Sequence, residues 1–120
     1  MKQWLTIIGL GILAVSNGQA FAKPLTSEEI AQLLPKIIAI GDQTSQIFSA
    51  AGATTYTDRG RASFGSWRVQ DDKYCSQWPP AGGWSCYAVD YDETTKVLIW
   101  IGGGGDGDGD RTVNRVEPKK

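Results

Sequence analysis

The stretch Lys73-Tyr74-Cys75-Ser76-Gln77-Trp78-Pro79-Pro80-Ala81-Gly82-Gly83-Trp84-Ser85-Cys86-Tyr87-Ala88-Val89-Asp90-Tyr91 decides the fold. Two segments rich in aromatic residues flank a Pro-Gly connection, which is the pattern of two antiparallel strands joined by a turn. Placing Cys75 opposite Cys86 centres that connection on Pro80-Ala81. Facing residues on antiparallel strands are close enough to carry a disulfide, so register and covalent geometry agree.

Upstream, Gln70-Asp71-Asp72 is a turn, and Ala62 to Val69 precedes it as a further strand. Phe64 and Trp67 differ in parity within that strand, so if both face the core, Gly65-Ser66 holds a bulge. Asp58-Arg59-Gly60 turns back to Thr54–Thr57, and Ala51-Gly52 separates that segment from Ile47-Phe48-Ser49. Downstream, Asp92 to Thr95 is a polar turn. The apolar run Lys96-Val97-Leu98-Ile99-Trp100-Ile101 then reads as a central strand covered on both faces, and Arg111 to Val116 as the last strand. Near the start, Thr26 or Ser27 caps a helix, Glu29 returns the hydrogen bond, and Ile30, Leu33 and Leu34 share one face. Pro35 ends or kinks this helix, and Lys36 to Ile40 is either strand or more helix. The expected fold is mainly β: a single antiparallel meander or partly closed barrel of roughly six strands, with one short N-terminal helix and one disulfide.

Met1-Lys2, the apolar run Trp4 to Val15 and the small residues ending in Ala20-Phe21-Ala22 form a three-part export signal with cleavage after Ala22. The run is too short to span a bilayer, which needs about 20 residues. Residues 1–22 are thus read as the signal peptide and 23–120 as the exported domain, periplasmic or secreted, with no membrane span after cleavage. In an oxidising compartment the two cysteines are read as bridged, and a loop this short is worth about 3 kcal/mol.

The 120 residues include 12 Lys and Arg, 13 Asp and Glu and no His, for a net charge of −1. Lack of His excludes Ser-His-Asp and Cys-His catalytic sets and imidazole metal ligands. Lack of a basic excess argues against nucleic-acid binding. Asp71-Asp72 and Asp90-Tyr91-Asp92-Glu93 supply carboxylates, but in turns, where Asp is favoured for backbone reasons. Arg59, Arg61 and Arg68 read as a solvated face. No enzyme and no required cofactor is expected.

Tryptophan and tyrosine dominate what remains. Trp67 and Trp100 are expected in the core, whereas Trp78 and Trp84, at the mouth of the Pro79-Pro80 hairpin, and Tyr87 beside them form a candidate contact surface for a protein or glycan of the cell envelope. The segment Gly102 to Asp110 is the most unusual. Asp106, Asp108, Asp110, Thr112, Asn114 and Glu117 match the ligand spacing of a calcium loop, but Arg111 stands where that loop needs glycine, and strand-like residues replace the entering helix. A mobile acidic connection with at most weak calcium affinity is the preferred reading, with Asp106, Asp108, Asp110 and Glu117 as the metal candidates.

Gly65-Ser66-Trp67-Arg68-Val69, Cys75-Ser76-Gln77-Trp78 and Cys86-Tyr87 resemble the Gly-x-Trp-x-Val, Cys-x-x-Trp and Cys-Tyr pattern of small exported bacterial proteins of unknown function. That resemblance spans about Thr54 to Ile101 and implies a β-meander in the envelope. Ser49-Ala50-Ala51-Gly52-Ala53-Thr54-Thr55-Tyr56, with Phe64 to Val69, is more weakly similar to small periplasmic lysozyme inhibitors. Those are β-barrels whose Ser-Gly-x-x-Tyr-like loop enters the enzyme cleft, although here two alanines separate Ser49 from Gly52. The resemblance implies an alternative site at Ser49, Gly52 and Tyr56. The functional expectation is a non-catalytic envelope or secreted binding module acting through the aromatic hairpin end. The alternatives are a lysozyme-like hydrolase inhibitor and a weak calcium-dependent module.

Overall fold

The computed structural model describes residues 24–102 and 110–120. The export signal, residues 1–22, therefore lies outside the described residues. Helix α1 (Ser27–Leu33) runs into a single 3₁₀ turn (Leu34–Lys36). Eight strands follow: β1 (Ile37–Ile40), β2 (Thr44–Phe48), β3 (Ala53–Asp58), β4 (Arg61–Gln70), β5 (Lys73–Gln77), β6 (Ser85–Asp92), β7 (Val97–Ile101) and β8 (Arg111–Pro118). Each pairs antiparallel with the next, and β8 closes on β1, giving an up-and-down barrel with no free edge. Closure gives every strand two hydrogen-bonded neighbours within the chain.

Of the two cap candidates, Thr26 caps α1: its hydroxyl accepts from the Glu29 amide at 3.2 Å, and the Glu29 carboxylate accepts from the Thr26 amide at 2.9 Å. Pro35 ends the α-helix within the 3₁₀ turn, and β1 follows at once, so of the segment Lys36 to Ile40 the residues Ile37–Ile40 are strand and Lys36 closes the turn. Ile30 and Leu34, both fully buried, join Phe48 in the core. Ser27 and Asp72 exchange hydrogen bonds: the Ser27 amide donates to the Asp72 carboxylate at 2.7 Å, and the Asp72 amide to the Ser27 hydroxyl at 2.8 Å. This pair ties the helix to the β4–β5 turn. The helix thus plugs one end of the barrel, which also carries the β2–β3 and β6–β7 turns. The β1–β2, β3–β4 and β5–β6 connections lie at the opposite, open end.

The closed half is packed with aromatic rings at edge-to-face geometry. Phe48 lies 5.8 Å from Trp67, 5.7 Å from Tyr74 and 6.0 Å from Trp100, centroid to centroid. Tyr74 and Trp100 stack at 4.5 Å, so the rings interlock as one layer across the barrel.

Three expectations are corrected. There are eight strands where roughly six were expected, because β1 and β2 are short and joined by a tight Gly41–Gln43 turn. β4 keeps an unbroken register with β3 and β5, so no bulge forms; Trp67 faces inward and Phe64 stands 70% exposed on the outer wall. β7 alternates buried Leu98 and Trp100 with half-buried Val97, Ile99 and Ile101, as a barrel wall does, rather than being covered on both faces. Cys75 pairs with Cys86 in register and is bridged to it on the outer wall of β5–β6. Among the described residues no helix is long and apolar enough to cross a membrane.

Candidate functional site

Strand parity decides what the open half of the barrel contains. In β2, Thr44, Gln46 and Phe48 alternate with outward Ser45 and Ile47; in β8, Thr112, Asn114 and Val116 alternate with Val113 and Arg115. The inward positions are therefore apolar toward the helix and polar toward the mouth. A cavity of about 550 Å³ results, within the size range of small-molecule sites. Tyr74 and Trp100 form its floor, and Tyr56, Trp78 and Tyr87 its aromatic walls. Gln46, Asn114 and Ser76 add polar groups, with Asp42 and Arg111 at its charged edge.

The polar groups form a directed network. Thr54 has one hydroxyl proton and donates it to the Ile47 carbonyl at 2.8 Å. It must therefore accept from Gln46, whose Nε2 lies 3.0 Å away, and this fixes the orientation of the Gln46 amide. The same Nε2 donates to the Tyr74 hydroxyl at 2.9 Å. Tyr74 also bonds to Ser76, and Ser76 accepts from Trp78 Nε1 at 3.0 Å. With its amide hydrogens so used, Gln46 presents its carbonyl oxygen to the cavity as an acceptor. Asn114 directs its amide nitrogen to the Leu98 and Thr112 carbonyls, both at 3.4 Å, and its oxygen has no donor among the described residues. Burial raises the Tyr74 pKa above its ordinary value, opposed by its bonds to Ser76 and Gln46, so the phenol stays neutral.

Trp78 owes its place to Gly65. A Cβ at Gly65 would lie 2.7 Å from the Trp78 ring and closer still to the Gln77 carbonyl. Only a residue without a side chain lets the indole lie against β4, and the strand glycine serves this close approach rather than the bulge that a shared inward face of Phe64 and Trp67 would require. The Trp78 ring then meets Tyr56 edge-on at 6.2 Å.

The structure brings together some of the expected site residues and separates others. Trp78 and Tyr87 line the mouth, and Tyr87 stacks on Tyr74 at 6.2 Å. Trp84 does not line it; the Arg68 guanidinium sits 4.1 Å over its ring on the outside of the barrel. Ser49 and Gly52 lie in the β2–β3 turn at the closed end, where the Ser49 carbonyl accepts from the Gly52 amide at 3.1 Å and from Trp67 Nε1 at 2.8 Å. Tyr56 points into the mouth, so these three residues do not meet. Of the metal candidates, Asp106 and Asp108 lie outside the described residues. Asp110 and Glu117 are exposed at opposite ends of β8, roughly 23 Å apart at strand rise, too far to share one ion. Gln46, Tyr74, Ser76 and Trp100 were missed as site residues, and Asn114 was read only as a calcium-loop position, although their period-2 placement beside core residues marked them as inward-facing.

Comparison of the chain with protein-family models, with curated proteins and with solved structures finds no match.

Proposed function

We propose that this chain is an exported, non-catalytic binding barrel that holds a sugar ring of a glycan in its open mouth. The observation that carries the reading is the combination of aromatic faces with fixed, uncharged hydrogen-bonding groups in one small cavity. A pyranose has an apolar face of C–H groups, which suits Tyr56, Trp78 and Tyr87, and a rim of hydroxyls, which suits the Gln46 and Asn114 carbonyls and the Ser76 hydroxyl. The ring layer beneath keeps these groups in place, so little order has to be gained on binding.

The charge distribution supports binding over hydrolysis. Among the described residues of this cavity Asp42 is the one carboxylate, whereas glycoside hydrolysis uses two at a set separation.

The test is titration of the folded protein with methyl glycosides of glucose, galactose and mannose and with their oligomers, read by tryptophan fluorescence. Saturable change in wild type, lost in Trp78→Ala and kept in Trp84→Ala, is the expected result. An equal response from both variants would reject the mouth as the site.

A further inference from the structure

Beside the mouth lies a second cavity of about 400 Å³, lined by Tyr56, Asp58, Arg59, Arg61 and Ser63. Tyr56 lines both cavities, so one residue joins them. We infer that this second cavity is a subsite for an anionic substituent of the sugar held in the mouth, and that the ligand is an acidic glycan. The inference rests on the sugar-binding reading and narrows its ligand class.

Backbone geometry fixes the subsite. Arg59 and Gly60 both have positive φ, 49° and 86°, so they form the two-residue turn that matches the strand twist of a hairpin. Asp58 and Arg61 face one another in register across it. The Arg59 amide donates to the Gln43 carbonyl at 3.0 Å, which pins the turn tip to the β1–β2 turn.

Charge gives the subsite its preference. Arg59 pairs with Asp58 at 3.0 Å, which leaves Arg61 with no carboxylate within ion-pair distance among the described residues. Among the described residues, two guanidinium groups against one carboxylate make this cavity net positive, whereas Asp42 and Arg111 balance one another at the mouth. Arg61 presents a planar fork suited to a carboxylate or phosphate, and the Ser63 hydroxyl beside it can donate to the same anion. A sugar stacked in the mouth with such a group on an exocyclic carbon would extend it past Tyr56 toward Arg61.

The experiment compares, in each hexose series, the neutral methyl glycoside, the corresponding uronate and the 6-phosphate, with binding followed by backbone amide shifts. Wild type is expected to bind an acidic form about three- to tenfold more tightly than the neutral one, with the ratio shrinking as salt rises. The uronate and phosphate arms identify which anion fits better. Arg61→Gln should lose the preference while neutral-sugar affinity holds, and Arg61→Lys should keep part of it. Equal affinity for neutral and acidic forms, or a preference that survives in Arg61→Gln, overturns the subsite and leaves the mouth reading standing. Absence of shifts at the mouth with every sugar overturns both.

Discussion

Gln46 on β2 donates to the hydroxyl of Tyr74 on β5 across the inside of the barrel, at 2.9 Å. Neither strand neighbours the other, so this bond holds the aromatic floor of the cavity to a distant wall. Because the Gln46 amide also serves Thr54, losing either partner strands a buried polar group. Gln46→Leu and Tyr74→Phe should each cost about 1–3 kcal/mol in chemical denaturation. The double variant should cost less than the two added together, because the second change no longer orphans a partner.

Tyr74 also sets an alkaline limit. Its folded pKa is raised by burial above the ordinary value near 10, so above that pH the unfolded chain releases a proton that the folded chain retains. The stabilising contribution is complete below pH 10 and declines as pH rises through the folded pKa. Melting curves collected from neutral to strongly alkaline pH should show this fall, and Tyr74→Phe should flatten it.

Gly65→Ala tests the seat of Trp78. The added methyl group meets the indole and the Gln77 backbone, and the backbone cannot give way cheaply. A loss of about 1–3 kcal/mol in stability is expected, in the range of overpacked sites, together with a changed Trp78 fluorescence. Gly82→Ala, in the open hairpin connection where nothing crowds a Cβ, is the contrasting control and should leave stability nearly unchanged.

Removing the Cys75–Cys86 bridge by Ser substitution of both residues should lower stability by about 3 kcal/mol through the unfolded chain's added freedom. The bridge lies on the outer wall, outside the mouth lining, so sugar affinity of the molecules that remain folded should not change.

Much of the barrel was legible because its information is local. The Thr26–Glu29 cap, the Cys75–Cys86 register and the Asp58-Arg59-Gly60 turn each follow from neighbours in sequence. Strand parity in β4 is less legible, because the sequence alone does not say whether Phe64 and Trp67 both face the core across a bulge or lie on opposite faces without one. Phe64 pairs with Thr55 on the outer wall, and continuous pairing on both sides of β4 fixes its direction. Trp78 and Trp84 look equivalent at the hairpin mouth, yet their places differ: Gly65 makes room for Trp78 inside, and Arg68 takes Trp84 outside. The cavity itself was not legible, since it exists only once β8 closes on β1 and brings Asn114 round toward Gln46.

The most direct test follows the indole N–H signals of nitrogen-labelled protein during titration with a neutral methyl hexoside and its uronate. Trp78 and Trp100, which line the mouth, should shift with saturation while Trp84 stays in place. Saturating shifts at Trp84 with Trp78 and Trp100 unmoved would put the ligand on the outside of the hairpin and contradict the account.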